Sequence, residues 1–124
     1  MDEALLFRDE CYRIVGAAME VQNSMGHGFH EKPYENALVI ELRALRFRVE
    51  QQCAFPITYK GEVVGEYIPD IVVDRKMVVE TKTVESIGNA ERSQMLNYLN
   101  GTEYRLGIIV NFRNPKLEWE RIVR

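Results

Sequence analysis

Between Tyr67 and Thr83 the chain reads YIPDIVVDRKMVVETKT. Two apolar runs, Ile71-Val72-Val73 and Met77-Val78-Val79, flank the polar trio Asp74-Arg75-Lys76. That is the pattern of a hairpin of two largely buried strands. Set into it are Asp70, Glu80 and Lys82, charged groups that a sheet interior disfavours. Glu80 and Lys82 are two apart, so a strand sends both side chains to one face. A three-residue loop of Asp74, Arg75 and Lys76 pairs Asp70 with Glu80 and brings it onto that face. A two-residue loop at Arg75-Lys76 pairs Asp70 with Thr81 instead and sends it to the other. The first register, or a bulge near Pro69 with the same outcome, is the expectation. Opposed carboxylates repel unless something positive lies between them. Lys82 is one candidate for that role, and a divalent cation is the other.

The rest of the chain is read outward from this hairpin. Its 124 residues suffice for one domain with one core, and residues 1–124 are taken as such. Hydrophobic residues make up 46% and charged residues 28%, as in ordinary soluble proteins. The net charge of -3 supplies no global basic field, which argues against a tight non-specific DNA binder. It argues less against an enzyme whose site holds a metal. Cys11 and Cys53 form neither a metal-type spacing nor a disulfide framework, so reduced thiols and a cytoplasmic location are expected. The N-terminal MDEALLFRDE is too acidic for a signal peptide, and no apolar run approaches the ~20 residues that span a membrane.

Residues 3–22 read as a helix, with Asp2 as candidate N-cap and a stripe of Leu5, Tyr12, Val15, Ala18 or Met19, and Gln22. Asn23 to Phe29 is a loop with two glycines. A second helix covers about Glu31 to Phe47, with Pro33 in its first turn and Tyr34, Leu38, Leu42 and Leu45 as its apolar stripe. Strands follow at Val49–Tyr59, Val63–Val73 and Met77–Thr83, the first two joined by a Lys60-Gly61 turn. Ile87–Leu99 reads as a helix with a glycine stop at Asn100-Gly101. Arg105–Phe112 reads as a buried strand and Trp119–Val123 as a final short one. The order αα-βββ-α-ββ predicts an α/β fold around one mixed sheet.

Four groups of residues carry chemistry. Asp70 with Glu80-Thr81-Lys82 makes a metal-and-water site whose oxygen ligands at ~2.0–2.1 Å suit Mg²⁺. Thr81 counts with the carboxylates as a ligand, and Lys82 is placed to orient the attacking water and offset phosphate charge. The competing account is a structural ion pair on a solvated face. Glu31, within Gly28-x-x-Glu31-x-x-Tyr34, opens the second helix on the side facing the sheet and is a further ligand candidate; helix N-termini also favour acids through the macrodipole alone. Gln94 and Tyr98 are four apart and share a helix face, where they either reach a scissile phosphate or are polar tips of a core stripe. His27 and His30 sit by the glycine loop without HExxH spacing and read as surface residues. Tyr34, Arg43, Arg46 and Lys60 are the candidates for gripping substrate, with the solvated helix face as the alternative for the arginines.

Taken in order, G-x-x-E-x-x-Y (Gly28, Glu31, Tyr34), P-D (Pro69-Asp70), E-x-K (Glu80-Thr81-Lys82) and Q-x-x-x-Y (Gln94 to Tyr98) resemble the GxxExxY protein family of the PD-(D/E)XK nuclease superfamily. The likeness runs from the first helix to the last strand, and segments such as YENALVIELRALRF, VVETKTV and QMLNYL carry it. It implies a restriction-endonuclease-like core, with the Asp70 and Glu80 equivalents binding Mg²⁺ or Mn²⁺, Glu31 assisting and Lys82 positioning the nucleophilic water. The Gln-x-x-x-Tyr helix resembles that of the superfamily's exonuclease branch. One position departs: family members often carry a histidine three residues before the glutamine, where this chain has Glu91.

The expectation is a metal-dependent nuclease acting on DNA or RNA. The alternatives are a module that keeps the fold to bind nucleic acid or a protein partner, and an enzyme acting on a small phosphorylated molecule. A homodimer is a further candidate partner, with Trp119 at an interface or in the core.

Overall fold

The computed structural model describes residues 6–124. The first expected helix is α1, Arg8–Met25, the second is α2, Glu31–Ala44, and the third is α3, Asn89–Asn100. Asp2 and Leu5, assigned to the first helix from sequence, lie outside the described residues. On α1 the buried stripe runs through Cys11, Ile14, Val15, Ala18, Val21 and Gln22. Tyr12 and Met19 are exposed, at 84% and 43%. One residue on a helix turns ~100°, so shifting the stripe by one takes Tyr12 out to solvent.

The expected run of three strands is a run of five: β1 Val49–Gln51, β2 Phe55–Tyr59, β3 Glu62–Tyr67, β4 Ile71–Val73 and β5 Met77–Lys82. The two long strands are each broken once, and the break has a physical cause. Val49 pairs with Val73 through to Gln51 with Ile71, and Phe55 with Tyr67 through to Ile57 with Gly65 resumes the same register. This is one antiparallel ribbon interrupted at 52–54 and 68–70. On one side of the gap Gln52 takes a left-handed φ of 56°, and on the other Pro69 has no N–H to give the ladder. Across it one backbone bond survives, from Gln52 N–H to Asp70 O at 3.0 Å. The interruption lifts Asp70 out of regular pairing.

A five-stranded sheet results, ordered β1-β4-β5-β6-β7, with β6 at Leu106–Asn111 and β7 at Glu118–Val123; β2 and β3 form a separate two-stranded sheet. β5 and β6 are parallel and the remaining neighbours antiparallel. On one face α1 and α2 cover the larger core, including Ile71, Val73, Met77, Val79, Ile108 and Val110. On the other, Met95 and Leu99 of α3 pack against Val78 and Ile109. Alternation along β5 therefore assigns Glu80 and Lys82 to the α3 face.

Local chemistry fixes the hairpin and the helix ends. Ile71 pairs with Val79 and Val73 with Met77, so Asp74–Lys76 is the three-residue loop and Asp70 falls opposite Glu80. Asp74 and Arg75 are both left-handed there. Asp tolerates that region, and its Oδ1 accepts from Arg48 N–H at 2.8 Å. At the end of α2, Arg46 N–H bonds Arg43 O and Phe47 N–H bonds Leu42 O. That is a Schellman closure with Arg46, φ 70°, where glycine is usual. At the end of α3 the glycine has another purpose. Gly101 has φ −86°, a conformation open to any residue, but a Cβ on it would run into the Tyr67 ring.

Candidate active site

Asp70 and Glu80 are brought together at the end of β5 where the β1–β4 ribbon breaks. Asp70 Oδ2 accepts from Thr81 N–H at 2.9 Å and from Thr81 Oγ1 at 3.0 Å. Its own N–H donates to Glu80 Oε1 at 3.0 Å. Thr81 is fully buried, so the hydroxyl that locks Asp70 has no competing water. Glu80 is 4% exposed, and burial pushes its carboxyl up to about 9. The negative charge of Asp70 adds to that, and the Asp70 N–H and Lys82 ammonium oppose it only in part. A buried carboxyl beside a second one holds its proton until a cation replaces it.

Lys82 lies one pleat beyond Glu80 and donates from Nζ to Gln94 Oε1 of α3 at 2.7 Å. Tyr98, one turn along α3, sits edge-on to Tyr67 at 5.3 Å. Its hydroxyl is pushed up to about 12 by burial and then by the charges of Glu80 and Asp70. The α3 pair Gln94 and Tyr98 thus faces the carboxylates. Glu31 arrives from the opposite face: at the start of α2, its Oε1 accepts from Thr83 N–H at 3.2 Å, clamping the chain just past β5. Among the described residues, no group of three His, Cys, Asp or Glu side chains gathers at metal-holding distance.

Several sequence-nominated residues lie elsewhere. Tyr34 is corrected as a substrate contact: it is fully buried and stacks on Phe112 at 4.5 Å. Its hydroxyl donates to Gly26 O at 2.7 Å and accepts from Phe29 N–H. An aromatic at this point of the stripe is core, with a hydroxyl that ties down the glycine loop. Arg43 and Arg46 are exposed at the far end of α2 from Glu31, roughly 20 Å away by helix rise. Arg43 donates to Val49 O. Lys60 is exposed at the tip of the β2–β3 ribbon, over the Tyr59 ring at 5.4 Å. Glu91 accepts from Gly88 N–H at 2.7 Å, half of a capping arrangement that starts α3.

Three residues not singled out from sequence shape the surroundings. Gln52 Nε2 lies 3.4 Å from Asp70 Oδ1 and 3.0 Å from Glu35 Oε2. Glu35, 3% exposed, also accepts from Lys32 and Gln51. Asn111, fully buried, bonds Val84 N–H and O and Glu118 Oε1, holding the loop that follows β5. Glu35 carried one readable signal: it is four residues from Glu31 and hence on the same side of α2.

Comparison with known proteins agrees with this architecture. A family model described as PD-(D/E)XK nuclease superfamily matches residues 8–122. Nucleases of that superfamily are typically dependent on a divalent metal. The crystal structure of SSO0001 is similar at 16% identity and a TM-score of 0.60, over 97% of this chain and 60% of that one. An alkaline exonuclease from Laribacter hongkongensis is similar at 14% identity and a TM-score of 0.51, over 86% of this chain and 76% of that one. At such identities the likeness concerns the fold. This chain spans only part of each. No match is found among curated proteins.

Proposed function

We propose, from the fact that the chain belongs to the PD-(D/E)XK nuclease superfamily, that it hydrolyses phosphodiester bonds in DNA or RNA with Mg²⁺ or Mn²⁺. Within the superfamily we place it in the GxxExxY family, on Gly28, Glu31 and Tyr34. The observation that carries the reading is the buried Glu80 beside an Asp70 whose orientation Thr81 fixes twice. Such a pair is costly in a sheet unless a cation uses it. The donor set fits a hard cation: two carboxylates, with Thr81 beside them, leave most positions to waters and phosphate oxygens, as Mg²⁺ prefers. When bound, the ion supplies a more acidic water and charge stabilisation at the phosphate.

The chain's own residues do the positioning. Thr81 aims Asp70, and the Asp70 N–H aims Glu80. Gln94 holds the Lys82 ammonium, which orients the attacking water and offsets phosphate charge. Tyr98 stays a neutral hydroxyl at working pH and donates to a phosphate oxygen without adding charge. Glu31, in the pose bonded to Thr83 N–H, steadies the end of β5 and supports the site from α2. Cleavage of single- and double-stranded DNA and RNA with either metal tests this. Asp70→Ala and Lys82→Ala are expected to lose activity, and unaltered cleavage in both rejects the assignment.

One observation favours a second reading, a nucleic-acid- or protein-binding module that keeps the fold without hydrolysis. The acidic ligand set among the described residues stops at two. Titration with Mn²⁺ separates the two, since the module needs no binding at millimolar levels. Free Cys11 and Cys53 are in keeping with a cytoplasmic location. No helix among the described residues is long and apolar enough to cross a membrane.

A further inference from the structure

We propose that the cavity at the opposite end of β5 from Glu80 binds unpaired nucleotides, so that the substrate is a single strand running over the seam where α3 meets the β2–β3 ribbon. This rests on the nucleic-acid hydrolase reading and adds a substrate class to it. The cavity measures about 870 Å³, and its walls include Phe55, Tyr104, Arg75, Lys76 and Arg105, with Glu103 as an acidic member. Counting Glu50 beside Arg75, three cations against two carboxylates leave it basic by one charge, on a chain whose net charge is -3. Among the described residues, Lys76 and Arg105 have no carboxylate partner. Lys76 lies over the Phe7 ring at 5.6 Å. Arg75 is shared with Glu50 at 3.3 Å, which leaves its outer nitrogens for an anion.

Aromatic rings link this cavity to the carboxylates. Tyr98, next to the site, meets Tyr67 edge-to-face. Tyr67 is the cross-strand partner of Phe55, and Phe55 meets Tyr104 edge-to-face at 5.8 Å. All four rings are half-buried, so each keeps surface open to a ligand. Glu80 and Lys76 are four residues apart along β5, roughly 13 Å, a span of a few nucleotides. Rings in series with cations at the far end are the chemistry of single-strand binding, in which base faces stack and phosphates pair with charge. A duplex keeps its base faces stacked inside and cannot use the rings.

The test is anisotropy of a fluorescein-labelled oligothymidylate about a dozen nucleotides long, against a blunt duplex of equal length, in EDTA so that no bond is cut. Wild type is expected to bind the single strand more tightly than the duplex. Lys76→Glu with Arg105→Glu, both on exposed side chains, is expected to weaken it roughly tenfold and lower the salt slope by about 1.4, two phosphates at ~0.7 each. Tyr104→Leu, which leaves charge alone, is expected to weaken binding without changing that slope. Absence of binding by wild type, equal affinity for duplex, or binding untouched by both variants overturns the subsite. The two readings fail separately. Binding of this pattern without metal-dependent cleavage keeps the subsite and removes the hydrolase. Cleavage with both variants binding as wild type does the reverse.

Discussion

β5 and β6 lie side by side in parallel register, Met77 beside Leu106 through to Lys82 beside Asn111. Both are buried along their length apart from Lys82. Their contents differ at one level. Where β6 has Ile109, packed against Met95 and Leu99, β5 has Glu80, equally inaccessible but ionisable. The sheet has room for an apolar side chain there and holds a carboxyl instead. A carboxyl in that position is a cost to the fold, and the cost makes sense only through the neighbours supplied for it: Asp70 from the ribbon break, Lys82 and the α3 face.

That contrast can be broken from the β6 side. Ile109→Glu creates a buried carboxyl with no Asp70 N–H and no Thr81 beside it. It should destabilise by about 3 kcal/mol or more, read as a lowered midpoint in urea. A tolerated Ile109→Glu would mean that any position on this sheet accepts an acid. Gly107→Ala sharpens the same comparison, since a Cβ there would strike the Met95 thioether. Overpacking between β6 and α3 should cost about 1–3 kcal/mol.

On β5 the expected sign is opposite. Glu80→Gln removes an ionisable group whose folded pKa, about 9, lies above its ordinary 4.5. Folding therefore favours the protonated form. The benefit is complete below pH 4.5 and drains away as pH rises toward 9. In EDTA, wild type should lose stability from pH 5 to pH 8, while Glu80→Gln should be flat and more stable at pH 8 by on the order of 1–3 kcal/mol. A thermal scan at both pH values checks it; parallel curves would place Glu80 in contact with water. The smallest effect lies outside the contrast. Arg46→Gly relieves a left-handed arginine and should stabilise by about 0.5–1 kcal/mol. Unchanged cleavage in that variant would detach Arg46 from substrate binding.

The three-residue loop was legible because Asp74-Arg75-Lys76 separates two apolar runs whose parity then places Asp70 with Glu80. The helices and the β6 run were legible from periodicity. The ribbon break was legible only as the alternative of a bulge near Pro69, because its extent and the left-handed Gln52 depend on pairing between strands distant in sequence. Tyr34 misled for a related reason: its place in a motif says nothing of the Phe112 ring that covers it. Gly101 was recognised as a helix end, but its need for space beside Tyr67 belongs to tertiary packing. Gln52 and Glu35 escaped notice because a polar network is assembled by the fold and has no period.

The role proposed for Asp70 and Glu80 is to hold a divalent cation. Calorimetric titration of Mn²⁺ into the metal-free protein addresses it without reference to any substrate. Wild type is expected to bind saturably, and Asp70→Asn and Glu80→Gln are both expected to lose that binding, although the latter is the more stable protein. Equal Mn²⁺ binding by all three proteins, or none by wild type, would contradict that role.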